Sequence, residues 1–321
     1  MHIPDGFLDA KAVVATAVLA VIGVGTAVRR AQTHLPPRRV PLLGLTAAFV
    51  FAAQMVNFPV AGGTSGHLVG GVLAAVLVGP SGAVVVMATV LIVQCLIFAD
   101  GGVLALGANI FNMGIVGAVG GYAIYRAVYR ALGHDSGRLV AVAFAAWCSV
   151  VLAAIMVAGE LSLSGVVPWS VVLPAMTGVH MLIGVGEAVI TTLVILAILR
   201  ARPDLLTDAD SSLPARSVPE TLAFGLLIAL GIAMFVSPLA SAWPDGLEKV
   251  AETLGFAART VETPLVPSPI PDYAIPGIVS VTWATALAGG VGTVVVFLLA
   301  LGLARVLVGR RPGAGTTPPS A

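Results

Sequence analysis

The stretch Gly82-Ala-Val-Val-Val-Met-Ala-Thr-Val-Leu-Ile-Val-Gln-Cys-Leu-Ile-Phe-Ala99 runs for eighteen residues without a charge. A helix of about 20 mostly apolar residues crosses the roughly 30 Å hydrocarbon core of a bilayer. A helix on the surface of a soluble protein would instead show a polar face. The stretch therefore predicts a transmembrane helix.

The composition of the whole chain extends this interpretation. Of 321 residues, 58% are hydrophobic and only 10% are charged, and the mean hydropathy is +1.05. Soluble domains carry about 25% charged residues, so this much apolar surface requires a lipid bilayer as solvent. The net charge of +1 gives no electrostatic footprint for a polyanion, and we expect no nucleic-acid partner. The two cysteines, Cys95 and Cys148, lie in apolar runs and form neither a disulfide framework nor a CxxC motif.

Nine apolar runs are separated by Gly, Pro and charged residues. They fall near residues 11–28, 41–59, 67–79, 82–99, 105–125, 138–158, 172–199, 219–237 and 276–305. The third run has about 13 residues, which suits a tilted or part-buried helix. The sequence thus predicts an all-α integral membrane protein of about nine transmembrane helices.

The distribution of basic residues predicts the orientation, because cytoplasmic loops of membrane proteins are enriched in Lys and Arg. With residue 1 outside, 13 of the 16 basic residues fall in cytoplasmic loops or the tail, and Lys11, Lys249 and Arg259 stay outside. This bias requires the short third run to count as a span. We therefore predict a multi-pass protein of the plasma membrane with its N-terminus outside and its C-terminus in the cytoplasm.

A polar segment at 201–218 divides the chain. It predicts a cytoplasmic linker between a seven-helix unit, residues 1–200, and a two-helix unit, residues 219–308. The second unit has an outer loop, about 238–275, in which Leu247 to Leu254 predicts a short helix with Asp245 as its N-cap. The Pro- and Gly-rich end, 309–321, is typical of a disordered tail.

Five histidines are the candidate metal ligands. His34 and His134 fall in predicted cytoplasmic loops beside arginines and are expected to be solvated. His180 lies in the seventh span with Glu187 seven residues on. Ionisable groups inside a membrane are candidate functional residues, so this pair serves either as a proton relay or only as a hydrogen-bonding pair within the bundle.

His2 is distinctive because it follows the first residue. The first nine residues contain no Lys or Arg, so no signal peptide is expected and Met1 is predicted to remain the N-terminus. Its amine, the amide nitrogen of residue 2 and the imidazole Nδ1 of His2 can chelate one ion through a five- and a six-membered ring. The three nitrogens lie in one plane with one vacancy, a geometry that points to Ni(II) or Cu(II) once a fourth nitrogen fills it.

His67 is the candidate for that fourth nitrogen. It ends the segment Gly62-Gly63-Thr64-Ser65-Gly66-His67, which the predicted topology places on the same side of the membrane as His2. Thr64 and Ser65 would either cap a helix beginning at His67 or hydrogen-bond around the ligands. Asp5 would accept a proton from an imidazole N–H.

Long motifs in this chain resemble the CbiM/NikM family, the substrate-binding membrane components of energy-coupling-factor cobalt and nickel transporters. They are Met1-His-Ile-Pro-Asp-Gly-Phe-Leu8, the stretch Phe51 to Leu68 with Gln54 and Asn57, and the run from Gly79-Pro80 through Asp100-Gly101-Gly102 to Asn109 and Asn112. Pro244-Asp245-Gly246-Leu247-Glu248 is similar to the PDGLE domain, which is related to the CbiN or NikN companion subunit. The chain therefore resembles a fusion of the two subunits.

The resemblance implies that a Ni²⁺ or Co²⁺ ion, as transported substrate, is held by the Met1 amine, the His2 amide and imidazole, and the His67 imidazole. It also implies a supporting polar shell that includes Gln54, Asn57 and Asn112. The implied partners are a transmembrane coupling subunit of the CbiQ/NikQ type and cytoplasmic ATPases of the CbiO/NikO type.

The chain shows no sign of carrying out chemistry itself. A P-loop needs Gly-x4-Gly-Lys-[Ser/Thr], and the only lysines, Lys11 and Lys249, stand in no such context. HExxH and paired-carboxylate arrangements are not found, so we expect a non-catalytic transport subunit without a resident cofactor. The alternative is a secondary metal/proton transporter that uses His180 and Glu187 and works without ATPases.

Overall fold

The structure is a computed structural model that describes residues 1–36, 39–133, 135–206, 218–261 and 265–309, apart from the side chains of residues 135, 136, 218, 308 and 309. His134, most of the predicted linker and nearly all of the predicted tail lie outside these residues. The helices are α1 (Ala10–His34), α2 (Val40–Gln54), α3 (Gly71–Phe98), α4 (Leu106–Leu132), α5 (Asp135–Leu163), α6 (Trp169–Ala201), α7 (Val218–Gly231), α8 (Gly246–Leu254) and α9 (Val281–Gly309). Two short antiparallel strands, β1 (Phe58–Val60) and β2 (Thr64–Gly66), lie between α2 and α3.

The prediction of an all-α membrane protein is confirmed. Seven helices in the described residues are long and apolar enough to cross a bilayer, and α2 adds a shorter apolar helix of 15 residues. Helix α1 exposes a row of aliphatic side chains and α7 exposes Phe224, Leu227 and Ile228. In a protein of this composition such side chains face lipid, because water would oppose so much apolar exposure.

Helix α3 reverses direction at Gly79, where φ is 79° and ψ is 164° and Pro80 follows. The Gln54 side chain donates to the Val69 carbonyl and accepts from Gln94, both at 2.8 Å. A straight helix from Gly71 to Gln94 would be about 35 Å long, so one glutamine could not contact both of its ends. The third and fourth apolar runs therefore form two arms of one element.

The first of these arms, Gly71–Val78, has eight residues and spans about 12 Å. It is too short to cross a bilayer alone, so the third run is a part-buried helix instead of a full span. The two arms together nevertheless return the chain to the face from which it entered. The loops after α3 therefore alternate between the two faces as the predicted span count required.

The two-helix part packs on the first part through α2. Glycines in both helices allow the close approach, since a Cβ on Gly292 of α9 would lie 2.2 Å from the Phe51 ring and a Cβ on Gly44 of α2 would lie 3.1 Å from Leu301. Small residues serve this purpose in lipid, where packing takes the place of the hydrophobic effect as the driving force. Helix α7 continues from Gly231 through a π turn (Ile232–Val236) and a 3₁₀ turn (Ser237–Leu239) into the loop before α8.

Several loops meet at one end of the bundle, which we call the site face. It comprises residues 1–9, 55–70, 99–105, 240–261 and 265–275, and hydrogen bonds join each of these segments to another. His2 and His67 therefore lie on the same face, as predicted. The ends of α1 and α6 at His34 and Ala201 lie at the opposite face.

Candidate metal centre

The first three residues are fixed by the start of α4. The Ile3 N–H donates to Asn109 Oδ1 at 2.8 Å, and Asn109 Nδ2 donates back to the Ile3 carbonyl at 3.1 Å. The Gly102 N–H donates to the same carbonyl at 2.9 Å. Because Ile3 is fully buried, these bonds hold Met1 and His2 inside the protein.

The Met1 amine lies between a histidine and a carboxylate. Its nitrogen is 3.2 Å from His67 Nε2, and it forms an ion pair with Asp245 Oδ2. The Met1 side chain is 3% exposed, so water screens this pair little. Burial alone would raise the pKa of Asp245, but the Met1 ammonium outweighs this effect and holds the pKa well below its usual range.

His67 lies at the end of the β1–β2 hairpin, and its ring orientation is fixed. Nδ1 lies 3.0 Å from the Leu68 carbonyl, which can only accept, so Nδ1 must donate. The lone pair of the neutral ring is then on Nε2, which faces the Met1 amine. Burial lowers the pKa of His67 to about 3, so the imidazole is neutral at pH 7.

The His2 ring stacks on the His67 ring, with centroids 5.2 Å apart. Its Nε2 lies 3.2 Å from Gln94 Oε1, and its Nδ1 lies 3.2 Å from Asp100 Oδ1. Burial lowers the pKa of His2, which favours the neutral ring. Gln94 Oε1 and Asp100 Oδ1 both accept hydrogen bonds, and a neutral ring has one proton for the two. An ion on Nδ1 would leave that proton on Nε2 for Gln94 and would itself lie beside the Asp100 carboxylate.

Glu187 supports the loop that carries His67. It is fully buried, and its carboxylate accepts the Val69 N–H at 2.6 Å and the Gly70 N–H at 2.9 Å. His180, one heptad earlier, directs Nδ1 to the Met176 carbonyl at 2.7 Å. Glu187 therefore fixes the backbone of the loop that carries His67. None of these hydrogen bonds joins His180 to Glu187.

Three predicted supporting residues have other roles. Among the described residues Asp5 forms no hydrogen bond with an imidazole, because its carboxylate accepts the N–H groups of Val103, Leu104 and Ala105 at the start of α4. Thr64 and Ser65 do not cap a helix, because α3 begins at Gly71 with Gly70 as its N-cap. They donate instead to the carbonyls of Trp243 and Pro244.

The predicted amide side chains divide in the same way. Gln54 is two hydrogen bonds from His2, through Gln94. The Asn57 carbonyl accepts the Ser241 N–H, and Asn57 lines the cavity beside the site. Asn112 lies within the bundle and donates to Glu160 at 2.8 Å, so Asn109 is the asparagine that positions the N-terminus.

A cavity of about 1070 Å³ reaches His2, His67 and Asp245 from the site face. Its lining includes the carboxylates of Asp5, Asp100, Asp245, Glu248, Glu252 and Asp272, and no Lys or Arg among the described residues. Within the described chain, no three His, Cys, Asp or Glu side chains are grouped to hold a metal. The Met1 amine and the amide of residue 2 are main-chain nitrogens, which such a grouping of side chains does not include.

Comparison with known families identifies the proteins to which this chain is related. Residues 2–205 match the family model of the cobalt uptake substrate-specific transmembrane region, CbiM, and residues 220–309 match the PDGLE domain. The chain belongs to the CbiM family. Its second part is a PDGLE unit fused to the CbiM unit.

Individual CbiM-family relatives agree with this assignment. The chain is 38% identical to a putative fused nickel transport protein, NikMN, of Archaeoglobus fulgidus, over 95% of this chain and 98% of that one. It is 42% identical to a putative metal transport protein of Haloquadratum walsbyi, over 64% of this chain and 93% of that one. A crystal structure of a truncated transition metal transporter superposes with a TM-score of 0.57 at 32% identity, over 62% of this chain and 99% of that chain.

The motif that names the PDGLE unit lies against the CbiM unit at this site. The Pro244 carbonyl accepts from Ser65, whose N–H is 2.8 Å away. Asp245 is the N-cap of α8, as predicted, and forms a capping box with Glu248. Leu247 is 1% exposed. The motif therefore both begins a helix and docks that helix on the loop of His67.

Gly246 is required by the same contact. A Cβ at this position would lie 2.8 Å from His180 Cε1 and 2.7 Å from Ile183 Cδ1. We expect Gly246→Ala to destabilise the docked PDGLE unit by roughly 1–3 kcal/mol, as overpacking does. Thermal unfolding of the full chain in detergent checks this. Gly231→Ala is the control, because a Cβ there meets nothing within 4 Å, and equal melting temperatures for the two variants would contradict the expectation.

Proposed function

We infer that this protein is the substrate-binding component of a transition-metal importer, and that it binds Ni²⁺ or Co²⁺ as substrate at the site face. The observation that carries the proposal is the 3.2 Å approach of the Met1 amine to His67 Nε2, beside a buried His2. The amine, the amide and Nδ1 of His2, and Nε2 of His67 then supply four nitrogens. The names of the relatives, which refer to nickel or metal transport, support the same substrate class.

The charges around the amine explain how a divalent ion can enter a buried site. Before an ion binds, the Met1 ammonium and the Asp245 carboxylate carry opposite unit charges. A divalent ion bound to one deprotonated amide carries a single net positive charge and takes the place of the ammonium. The net charge beside Asp245 is then unchanged, so the low-dielectric site gains no uncompensated charge.

This exchange predicts the pH dependence of binding. One proton leaves the ammonium and one leaves the amide, whereas His2 and His67 are neutral near pH 7 because burial lowers both pKa values. Since two protons are products, acid opposes binding. We expect affinity to fall about 100-fold for each pH unit lost near neutrality. Calorimetry in buffers of different ionisation enthalpy measures the released protons, and a pH-independent affinity would contradict the chelate.

The choice between the two metals follows from coordination geometry. Four nitrogens in one plane suit Ni(II) better than Co(II). We propose nickel as the preferred substrate and cobalt as the competitor, with the family model's cobalt description marking the alternative.

The proposal is tested by metal content. The purified full chain, with Met1 unextended, is dialysed against equal concentrations of Ni²⁺ and Co²⁺ and then analysed for both metals. We expect one ion per chain, predominantly nickel. No metal after dialysis would overturn the proposed function, and a predominance of cobalt would overturn the planar four-nitrogen geometry.

Energy for uptake is proposed to come from partners: a transmembrane coupling subunit and cytoplasmic ATPases of the CbiQ/NikQ and CbiO/NikO types. In this proposal the site face is outside the cell. Both lysines, Lys11 and Lys249, stand toward that face, far from cytoplasmic ATP. Uptake by vesicles that contain this chain should require the partners and ATP. Uptake driven by a proton gradient without them would favour the secondary transporter that uses His180 and Glu187.

A further inference from the structure

A buried chain of hydrogen bonds connects the loop of His67 with the ring of His2. Gln54 Nε2 donates to the Val69 carbonyl at 2.8 Å. Gln94 Nε2 donates to Gln54 Oε1 at 2.8 Å, and Gln94 Oε1 lies 3.2 Å from His2 Nε2. Gln54 is 5% exposed and Gln94 is fully buried, so water does not replace these partners.

The direction of this chain is fixed from its first member. A backbone carbonyl can only accept, so Gln54 must present its NH₂ group to Val69 and its oxygen to Gln94. Gln94 must then present its own NH₂ group to Gln54 and its oxygen to His2. This oxygen can accept the Nε2–H of His2, and Asp100 Oδ1, 3.2 Å from Nδ1, is the competing acceptor until an ion occupies Nδ1. Each amide orientation thus follows from the one before it.

The last step determines which His2 nitrogen is available to an ion. A neutral imidazole carries one proton. With that proton on Nε2, the lone pair is on Nδ1, the atom that closes a six-membered ring with the residue 2 amide. Histidine ligands of metals commonly donate their other ring N–H to an oxygen, which fixes both tautomer and ring orientation. Gln94 Oε1 occupies that place for His2, as the Leu68 carbonyl does for His67.

We propose that Gln94 is a positioning residue of the metal site, which accepts the His2 Nε2–H when an ion occupies Nδ1, through an orientation that Gln54 and the Val69 carbonyl impose. The inference rests on the proposed function and names a residue beyond the four-nitrogen set. Because Val69 is two residues from His67, this chain of hydrogen bonds also couples the loop of His67 with the N-terminal segment that carries His2. A shift of the His67 loop would therefore change the orientation of His2.

The test compares two substitutions at one position of the full chain. Gln94→Met keeps the length of the side chain but removes the acceptor, and Gln94→Glu, as the neutral acid, keeps an acceptor for His2 Nε2–H and a donor for Gln54 Oε1. We expect nickel affinity to fall roughly 10–100-fold in Gln94→Met, the usual cost of losing such a partner. Gln94→Glu should bind within about 3-fold of the unsubstituted protein, because the carbonyl oxygen of the acid takes the place of Gln94 Oε1.

Two further measurements separate positioning from structure. Thermal unfolding of the metal-free proteins shows whether Gln94→Met is folded, and the visible spectrum of bound nickel reports the ligand set. A folded Gln94→Met protein with unchanged affinity would overturn the inference, and so would an equal loss of affinity in both variants. Absence of nickel from the unsubstituted protein would instead overturn the proposed function. Gln54→Met should lose less affinity than Gln94→Met, since Gln94 still accepts from His2.

Discussion

A His67→Ala protein is expected to lose its bound metal ion while it keeps its fold. His67 Nε2 lies 3.2 Å from the Met1 amine and is the only one of the four proposed donors that comes from outside residues 1 and 2. Without it the three remaining nitrogens leave a vacancy to water. The loss should exceed the roughly 10–100-fold cost of removing a partner of a ligand. Nickel content after dialysis, with an elution profile that shows a folded protein, measures the result.

His34→Ala is the matched control for this prediction. His34 is exposed at the opposite face, and its Nδ1 bonds to Thr33 Oγ1 at 2.6 Å and to the Arg30 carbonyl at 3.1 Å. We expect this variant to bind nickel with unchanged affinity. A folded His67→Ala protein that bound one ion as tightly as the control would mean that the ligand set is wrong.

The spans and the shared face of His2 and His67 could be predicted because they depend on local composition. Runs of apolar residues report the solvent around a helix wherever the helix packs. The alternation of loops then fixes which residues share a face. The N-cap at Asp245 is local as well, since the Asp-Gly-Leu-Glu spacing carries the capping box on its own.

The reversal within α3 depends on more than local sequence. Gly79-Pro80 indicates a break in a helix, but the same dipeptide is compatible with a kinked span. The direction of the second arm is determined by contacts between Gln54, Val69 and Gln94, which lie far apart in sequence. The sequence therefore predicted the break and left the path to tertiary packing.

The site residues that sequence reasoning missed share one property: their role depends on which loops converge. Asp100 is held between His2 Nδ1 and the Tyr273 hydroxyl of the PDGLE unit, which donates to it at 2.6 Å. Nothing local to Tyr273 indicates that contact. The sequence does indicate a role for Gln94, because a glutamine inside an uncharged eighteen-residue span is costly unless its side chain is hydrogen-bonded.

Adding residues before Met1 is expected to abolish metal binding even when His2 and His67 are intact. An extension converts the amine into a peptide nitrogen, which can bind an ion only after losing its own proton and which has no charge to pair with Asp245. The added residues would also have little space, because Met1 is 4% exposed. The Ile3 N–H is bonded to Asn109 and the Ile3 carbonyl to Gly102, so the segment cannot move aside. The chelate and the ion pair are therefore lost together.

The comparison that isolates this effect places the same short tag at either end of the chain. A tag after Ala321 leaves the amine free, so we expect that protein to bind one nickel ion with an affinity independent of the tag. The N-terminally tagged protein should bind none, and proteolytic removal of the tag up to Met1 should restore binding. Recovery on cleavage would separate a missing donor from a misfolded protein. Normal affinity with the N-terminal tag in place would exclude the Met1 amine as a ligand and leave the imidazoles and carboxylates to account for binding.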